Sequence, residues 1–376
     1  MSIHFNHYYR RNNTWHTLDA LHRYARLLGY GEIYQKIDQK TGLNACIAVH
    51  NTNRGPAIGG CRIMEYTSAN FAMKDALRLG YMMTLKAAAT DLPHGGAKAV
   101  IMKPKHIKDR RAFFQSFGEF VHNLNGRYIT AIDVGSTTDD MDAIATRTPY
   151  VVGATSIMPE HGDPSPFTGL GLVRSMEAAI KYKLGRENFE GLHVAFQGAG
   201  RVAYAIMKNI HARGAKITVA DINQEATDRC ADEFNADVVS TDKIFSVPCD
   251  IFSPCAMGSS LNLKSIAQLN CKIIVGAANN QLAHRKYIYS IMQKNILYAP
   301  DFIANAGGLI YASSLYRYNN ASVGNAKIDN LSNIILKIFK RADEQQLPTT
   351  EIAELIAKEN LYFSGDRETP PIPATE

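Results

Sequence analysis

Leu192-His193-Val194-Ala195-Phe196-Gln197-Gly198-Ala199-Gly200-Arg201-Val202-Ala203 decides the fold of this chain. The apolar stretch 192–196 reads as a buried strand, and the glycines after it open a helix. The arrangement is G-x-G-x-x-A. Gly198 makes a tight turn, Gly200 lets a pyrophosphate approach the backbone, and small Ala203 allows close helix–strand packing. The pyrophosphate would sit against the free N–H groups of the helix start. A second apolar strand, Lys216 to Ala220, ends at Asp221, the place of an acid that takes a ribose 2′-hydroxyl. A carboxylate there repels a 2′-phosphate, so NAD is expected rather than NADP. A glycine turn alone is a weak signal. Strand, turn, helix, strand and acid in this order are a strong one.

Around this unit, apolar strands at 193–196, 216–220, 250–253 and 272–275 alternate with helical stretches, which reads as βαβ units on a parallel sheet. A helix is expected over Thr168 to Lys183, after a linker-like loop at 161–166. From Asn319 onward two helices are expected, broken at Leu347-Pro348, and a Pro-rich tail at 369–374 reads as disordered. The earlier part mixes elements differently. Strands are predicted at 45–50, 97–102 and 127–131, a turn over Gly55 to Gly60, and an apolar helix from Ser68 to Ala89. The fold class is therefore α/β in two domains: an N-terminal α/β substrate domain and a Rossmann-like, doubly wound NAD-binding domain, with a cleft between them. The boundaries are placed at 1–152, 153–327 and 328–376, the last being C-terminal helices expected to pack back toward the first domain.

The stretch His94-Gly95-Gly96-Ala97-Lys98 carries the main chemical signal of the first domain. Small residues permit close approach of backbone and ligand. A lysine at the edge of an apolar strand loses hydration, which suits a base working near neutral pH. A lysine snorkelling from a strand end explains the same pattern when it stands alone. Lys86, in the last turns of an apolar helix, needs a compensating anion. Asp133, at a strand end before Val134-Gly135, could cap a helix, and Asn305 before Ala306-Gly307-Gly308 could be a turn residue.

With 376 residues, 46% hydrophobic and 20% charged, the chain has a globular composition. The net charge of +6 is spread out, so nucleic-acid binding is not indicated. Its six cysteines form no CxxC pair and no zinc spacing, so free structural thiols and no metal are expected. The polar stretch 1–6 has no signal-peptide character, and no run of about 18 apolar residues suggests a membrane span. A cytoplasmic location is expected.

Several blocks between about Thr41 and Glu344 together resemble the glutamate/leucine/phenylalanine/valine dehydrogenase family, most of all its leucine branch. They are 55–62 (GPAIGGCR), 84–86 (TLK), 95–98 (GGAK), 127–135 (RYITAIDVG), 249–256 (CDIFSPCA), 278–282 (ANNQL) and 299–308 (APDFIANAGG). The resemblance implies reversible, NAD-dependent oxidative deamination of an L-amino acid to its 2-oxo acid and ammonium, by a homo-oligomer. It assigns Lys98 as general base and Asp133 as the group moving protons to and from the amine. Lys86 would hold the substrate carboxylate, and Gly59 and Gly60 would offer backbone groups. Asn305 would bridge substrate and nicotinamide, Thr168 would contact the carboxamide side, and Asn279 or Asn280 would face the ribose. His94 before the double glycine and the displaced Met102-Lys103-Pro104 depart from the family pattern, and neither removes a reacting group.

The resemblance also speaks to the side-chain pocket. A glutamate enzyme would carry a lysine where Ile58 stands, and an unpaired buried carboxylate costs several kcal/mol, so glutamate is rejected. Phenylalanine enzymes commonly carry glycine where Ala131 stands. Ile58 and Ala131 therefore point to leucine, valine or isoleucine. A phenylalanine- or tryptophan-type enzyme is the nearer alternative, and a catalytically silent NAD-binding regulator the more distant one.

Overall fold

A computed structural model of the chain describes residues 18–155, 163–256 and 258–362. Residues 1–6, part of the loop at 161–166 and the tail at 369–374 lie outside them. Two compact units are present, one within residues 1–85 and 93–162, the other within 86–92 and 163–367.

The first unit contains α1 (Leu18–Leu28), β1 (Glu32–Asp38), β2 (Leu43–Asn51), β3 (Ala57–Met64) and most of α2 (Ala69–Ala89). It continues with β4 (Gly95–Met102), α3 (Arg110–His122), β5 (Tyr128–Ile132) and α4 (Thr138–Ala145). The strands form one sheet in the order β1-β2-β4-β3-β5. Strands β3, β4 and β5 run parallel to one another, while β1–β2 and β2–β4 are antiparallel. β4 is central and covered on both faces, which explains its unbroken apolar run. Ala97, Ala99 and Ile101 face the core that Phe113, Phe114 and Phe117 of α3 and Ile144 of α4 complete. Val100, one residue out of phase, packs with Leu21 and Ala25 of α1 and Ala76 and Leu77 of α2. Lys98 shares the phase of Val100. Asp109 caps α3 by accepting from Ala112 N–H at 3.0 Å, and Thr137 with Asp140 forms a capping box on α4.

The expected turn at Gly55 to Gly60 is confined to its start. Gly55 has φ +126°, but Ala57 to Gly60 already belong to β3. The glycines serve close approach between strands: a Cβ on Gly59 would lie 1.8 Å from the Ala97 carbonyl oxygen. The same correction applies to Gly95 and Gly96. Their missing Cβ atoms make room for Asn51 O at 1.7 Å and Thr84 N at 2.0 Å, so protein backbone, not a ligand, occupies that space.

The second unit opens with α5 (Ser165–Leu184), which ends at left-handed Gly185. There follow β6 (His193–Gln197), α6 (Arg201–His211), β7 (Lys216–Ala220), α7 (Gln224–Phe234) and the short β8 (Asp237–Val238). The chain then crosses to β9 (Ile251–Pro254), α8 (Leu263–Gln268), β10 (Ile273–Ile274), α9 (Tyr287–Gln293) and β11 (Leu297–Tyr298). All the ladders are parallel, and the order is β11-β10-β9-β6-β7-β8. The direction of winding reverses between β6 and β9. In doubly wound sheets a ligand crevice opens at that point, beyond the strand ends.

Helices α10 (Asp301–Ala304), α11 (Gly307–Tyr318), α12 (Ala321–Asp329), α13 (Leu331–Gln345) and α14 (Thr349–Tyr362) close the unit. Three helices follow Asn319 where two were expected, because Asn330 ends α12 and at once leads into α13. α13 packs on α5 and α14, and Asn360 of α14 donates to the Ala88 carbonyl at 2.9 Å. Pro348 separates α13 from α14, as read from the sequence.

Candidate active site

Strand register assembles the acid–base groups in the first unit. Ile58 pairs with Gly96 on one side and Ile129 on the other, and Gly60 pairs with Ala131. Because side chains alternate, Ile58, Gly60 and Arg62 share a face with Lys98 and Ala131. Asp133 follows β5 by one residue. Lys98 Nζ lies 2.6 Å from Asp133 Oδ2, with the lysine side chain only 8% exposed. A Cβ on Gly60 would stand 2.7 Å from Asp133 Cβ and 3.2 Å from Lys98 Nζ. The pair therefore needs glycine at that position. Burial pushes the Asp133 carboxyl up, but the charges of Lys98 and Arg62 outweigh it and pull it down to about 2.

Gly59 has a different environment from Gly60. Its carbonyl accepts from the Tyr128 hydroxyl at 2.7 Å, inside the fold. His94 is 2% exposed and its Nδ1 is 3.1 Å from the Pro56 carbonyl, tying the start of β4 to the start of β3.

A second constellation lies in the other unit. Lys86 Nζ donates to Asn305 Oδ1 at 2.7 Å. Asn305 Nδ2 in turn reaches Asn279 Oδ1 at 2.8 Å and the Ala277 carbonyl at 3.1 Å. Asn280 takes a left-handed conformation, φ +52°, and holds the loop through its own carbonyl, which accepts from Ser259 N–H. Asp301, one turn before Asn305, is partly buried and accepts from Gln281 N–H at 3.0 Å. Burial lifts its carboxyl above the usual range, against the pull of the Lys86 charge. The sequence alone assigns Asp301 no role. Its signal was an acid next to a proline, too common to single out.

The glycine turn 198–200 lies at the winding reversal. Gly198 has φ +108°, and a Cβ there would meet Ala256 N at 2.8 Å. Gly200 is the N-cap of α6 and offers no side-chain cap, and nothing lies within 4 Å of its missing Cβ. An uncapped helix start facing open space fits a pyrophosphate. Ala203 is buried. Asp221 accepts from Ala199 N–H at 2.6 Å and from Asn223 N–H at 2.8 Å, which fixes its carboxylate beside the turn. Thr168, on α5, donates to the Pro164 carbonyl at 3.0 Å, and its hydroxyl oxygen fills the space a Cβ on Gly308 would need.

The cysteines are free thiols, and burial pushes those of Cys46, Cys61 and Cys271 up to about 12. Among the described residues no His, Cys, Asp and Glu cluster could hold a metal, and no helix is long and apolar enough to cross a membrane.

Comparison with known proteins bears on both units. Residues 32–150 match the Glu/Leu/Phe/Val dehydrogenase dimerisation domain, and residues 218–355 match the Glutamate/Leucine/Phenylalanine/Valine dehydrogenase domain. Leucine dehydrogenase of Thermoactinomyces intermedius is 43% identical over 90% of this chain and 92% of its own length. Phenylalanine dehydrogenase of Bacillus thermotolerans is 38% identical over 88% of each chain. The crystal structure of L-tryptophan dehydrogenase from Nostoc punctiforme superposes with a TM-score of 0.80 at 34% identity, covering 91% of this chain and 99% of that one.

Proposed function

Since the chain belongs to the glutamate/leucine/phenylalanine/valine dehydrogenase family and is an amino acid dehydrogenase, we propose that it deaminates branched-chain L-amino acids with NAD. The observation that carries the substrate class is Ile58. It is fully buried on the face of β3 that also presents Gly60, level with Gly96 and Ile129. Ile58 itself offers no charge to a side-chain carboxylate, and one buried there without a cation would lose several kcal/mol of hydration. An aliphatic chain loses nothing.

In this reading Lys86 binds the substrate carboxylate, and Asn305, joined to both Lys86 and Asn279, orients the substrate. Lys98 takes a proton from the substrate amine, and Asp133, at 2.6 Å, passes protons to and from the nitrogen as water adds to the imine and ammonia leaves. Gly60 leaves room for that pair and turns its backbone to the substrate, whereas the Gly59 carbonyl is already taken by the Tyr128 hydroxyl. Gly198, Gly200, Ala203, Asp221, Thr168 and Asn279 would hold the dinucleotide, which when bound supplies the hydride acceptor. Asp221 favours NAD by repelling a 2′-phosphate. The match to a dimerisation domain supports a homo-oligomer, which light scattering would measure.

A steady-state screen of amino acids against NAD and NADP tests the proposal. Leucine, valine and isoleucine with NAD should give the highest kcat/KM. Higher values for phenylalanine or tryptophan would overturn the substrate class, equal use of NADP would overturn the role of Asp221, and no turnover with any amino acid would leave only a nucleotide-binding protein.

A further inference from the structure

Arg62 lies partly buried beside the Lys98–Asp133 pair. Its Nε lies 3.2 Å from Asp133 Oδ2, the same oxygen that Lys98 approaches to 2.6 Å. On its other edge, Nη1 donates to Asp75 Oδ2 at 3.0 Å. Asp75, on α2, also accepts from the Tyr66 hydroxyl at 2.9 Å and from Arg78 Nη2 at 2.8 Å. The guanidinium thus spans from a carboxylate held by three donors to the carboxylate that pairs with the base. Its side chain is 16% exposed, so screening by solvent is limited.

We propose that Arg62 acts through Asp133 to set the pH at which Lys98 gives up its proton, and that Asp75 sets how strongly Arg62 does so. The proposal rests on the reading of Lys98 as the base. Its physical basis is competition for one oxygen. An ammonium with sole use of a carboxylate is held in its charged form. A guanidinium on the same oxygen does not titrate in the working range, takes part of that carboxylate's charge, and adds a positive charge near the ammonium. Both effects favour the neutral amine. Asp75 works in the opposite sense, because it neutralises Arg62 from behind.

The neighbouring groups leave these charges in control. Cys61 on β3 is pushed up to about 12 by burial, with Asp133, Asp140 of α4 and Lys98 acting on it. Burial also pushes up Tyr66, next to Asp75, and Tyr128 of β5. All three remain neutral through the working range. Asp75 is held below the usual carboxylate range because Arg78 and Arg62 outweigh its burial. Among the described residues, the fixed charge that meets the pair directly is Arg62, and Asp75 and Arg78 follow behind it in the same chain of ion pairs.

The experiment is the pH profile of kcat/KM for leucine, measured on the full chain with NAD for wild type, Arg62→Gln, Arg62→Lys and Asp75→Asn. Arg62→Gln keeps a hydrogen-bond donor and loses the charge. Its acidic limb should move up by about 1 pH unit, giving about a tenfold loss below the limb and a nearly unchanged plateau above it. Arg62→Lys should bring the limb back toward wild type. Asp75→Asn should move it down, a change of opposite sign that needs no folded Arg62→Gln protein. A purely bracing role would lower kcat/KM equally at every pH, and a limb that stays in place in both Arg62→Gln and Asp75→Asn overturns the proposal. Lys98→Ala separates the two readings. If it keeps turnover, the assignment of the base falls; if it is inactive while the limb is unmoved in the other variants, only the role of Arg62 falls.

Discussion

At the scale of single residues, the proposed chemistry depends on groups whose partners are specific. Lys98→Ala should lower kcat at least about 100-fold, the usual worth of a positioned base, while the Kd for NAD from a fluorescence titration stays near wild type. Lys86→Ala should act mainly on KM for the amino acid, through the lost carboxylate partner. An unchanged KM would remove Lys86 from the substrate. Ala131 is level with Gly60, two residues before Asp133, so its methyl group borders the reacting face. Ala131→Gly should raise kcat/KM for phenylalanine relative to leucine. The gain is modest, because one methylene in an apolar pocket is worth about 1–3 kcal/mol. The groups at this scale were largely visible as residue types: Lys86, Lys98, Asp133 and Asn305 all stand out in the chain. Their partners did not. Nothing in the spacing of Arg62 and Asp133, 71 positions apart, tells that they share an ion pair.

At the scale of elements, the packing of α2 on the first sheet is set by missing side chains. Gly96 of β4 faces the backbone of Thr84, and the Thr84 hydroxyl hydrogen-bonds His50 of β2 at 2.7 Å. Gly96→Ala would place a methyl group 2.0 Å from Thr84 N, a rigid backbone atom, so the helix or the strand must retreat. Overpacking of this kind costs about 1–3 kcal/mol, and the melting temperature followed by circular dichroism should fall. A variant as stable as wild type would show that α2 is free to move. Elements with a clear hydrophobic period were readable: β6, β7, α2 and α5 lie within a few residues of their expected positions. The two-residue strands β8 and β11 were not, because so short a stretch has no period, and only neighbouring strands recruit it. The strand over Ala57 to Gly60 was hidden for another reason. Glycine reads as a turn in the sequence, yet here it lets adjacent strands close up.

At the scale of the molecule, buried charge makes stability depend on pH. Asp133 titrates at about 2 in the folded chain against 3.8 for a free aspartate. Between those values the unfolded chain binds more protons than the native one, so this contribution is complete above about pH 4 and lost as pH falls to about 2. Asp301 and Glu354 act with the opposite sign. Burial raises both, so acid relieves a buried charge at each. The single-site difference isolates Asp133. Asp133→Asn should be less stable than wild type at neutral pH, because Lys98 and Arg62 lose their shared anion, and that deficit in urea midpoint should shrink from pH 4 to pH 2. A deficit that stays constant with pH would mean that the carboxylate charge does not stabilise the fold.

What the sequence determined by itself was the type of each unit and the type of chemistry. Hydrophobic period marks a parallel, Rossmann-type sheet, while the glycine turn with Asp221 and the lysines in apolar surroundings mark the candidate ligand end and the candidate reacting groups, since all of these are local properties of neighbouring residues. The tertiary structure alone decided which charge meets which. Strand register brought β3, β4 and β5 side by side, so that Lys98 and Arg62, from different strands, converge on one oxygen of Asp133. It also decided that Asn305 lies between Lys86 and Asn279, and that glycines read as ligand space hold protein instead. Such pairings depend on long-range register and packing, to which residue spacing along a chain is blind.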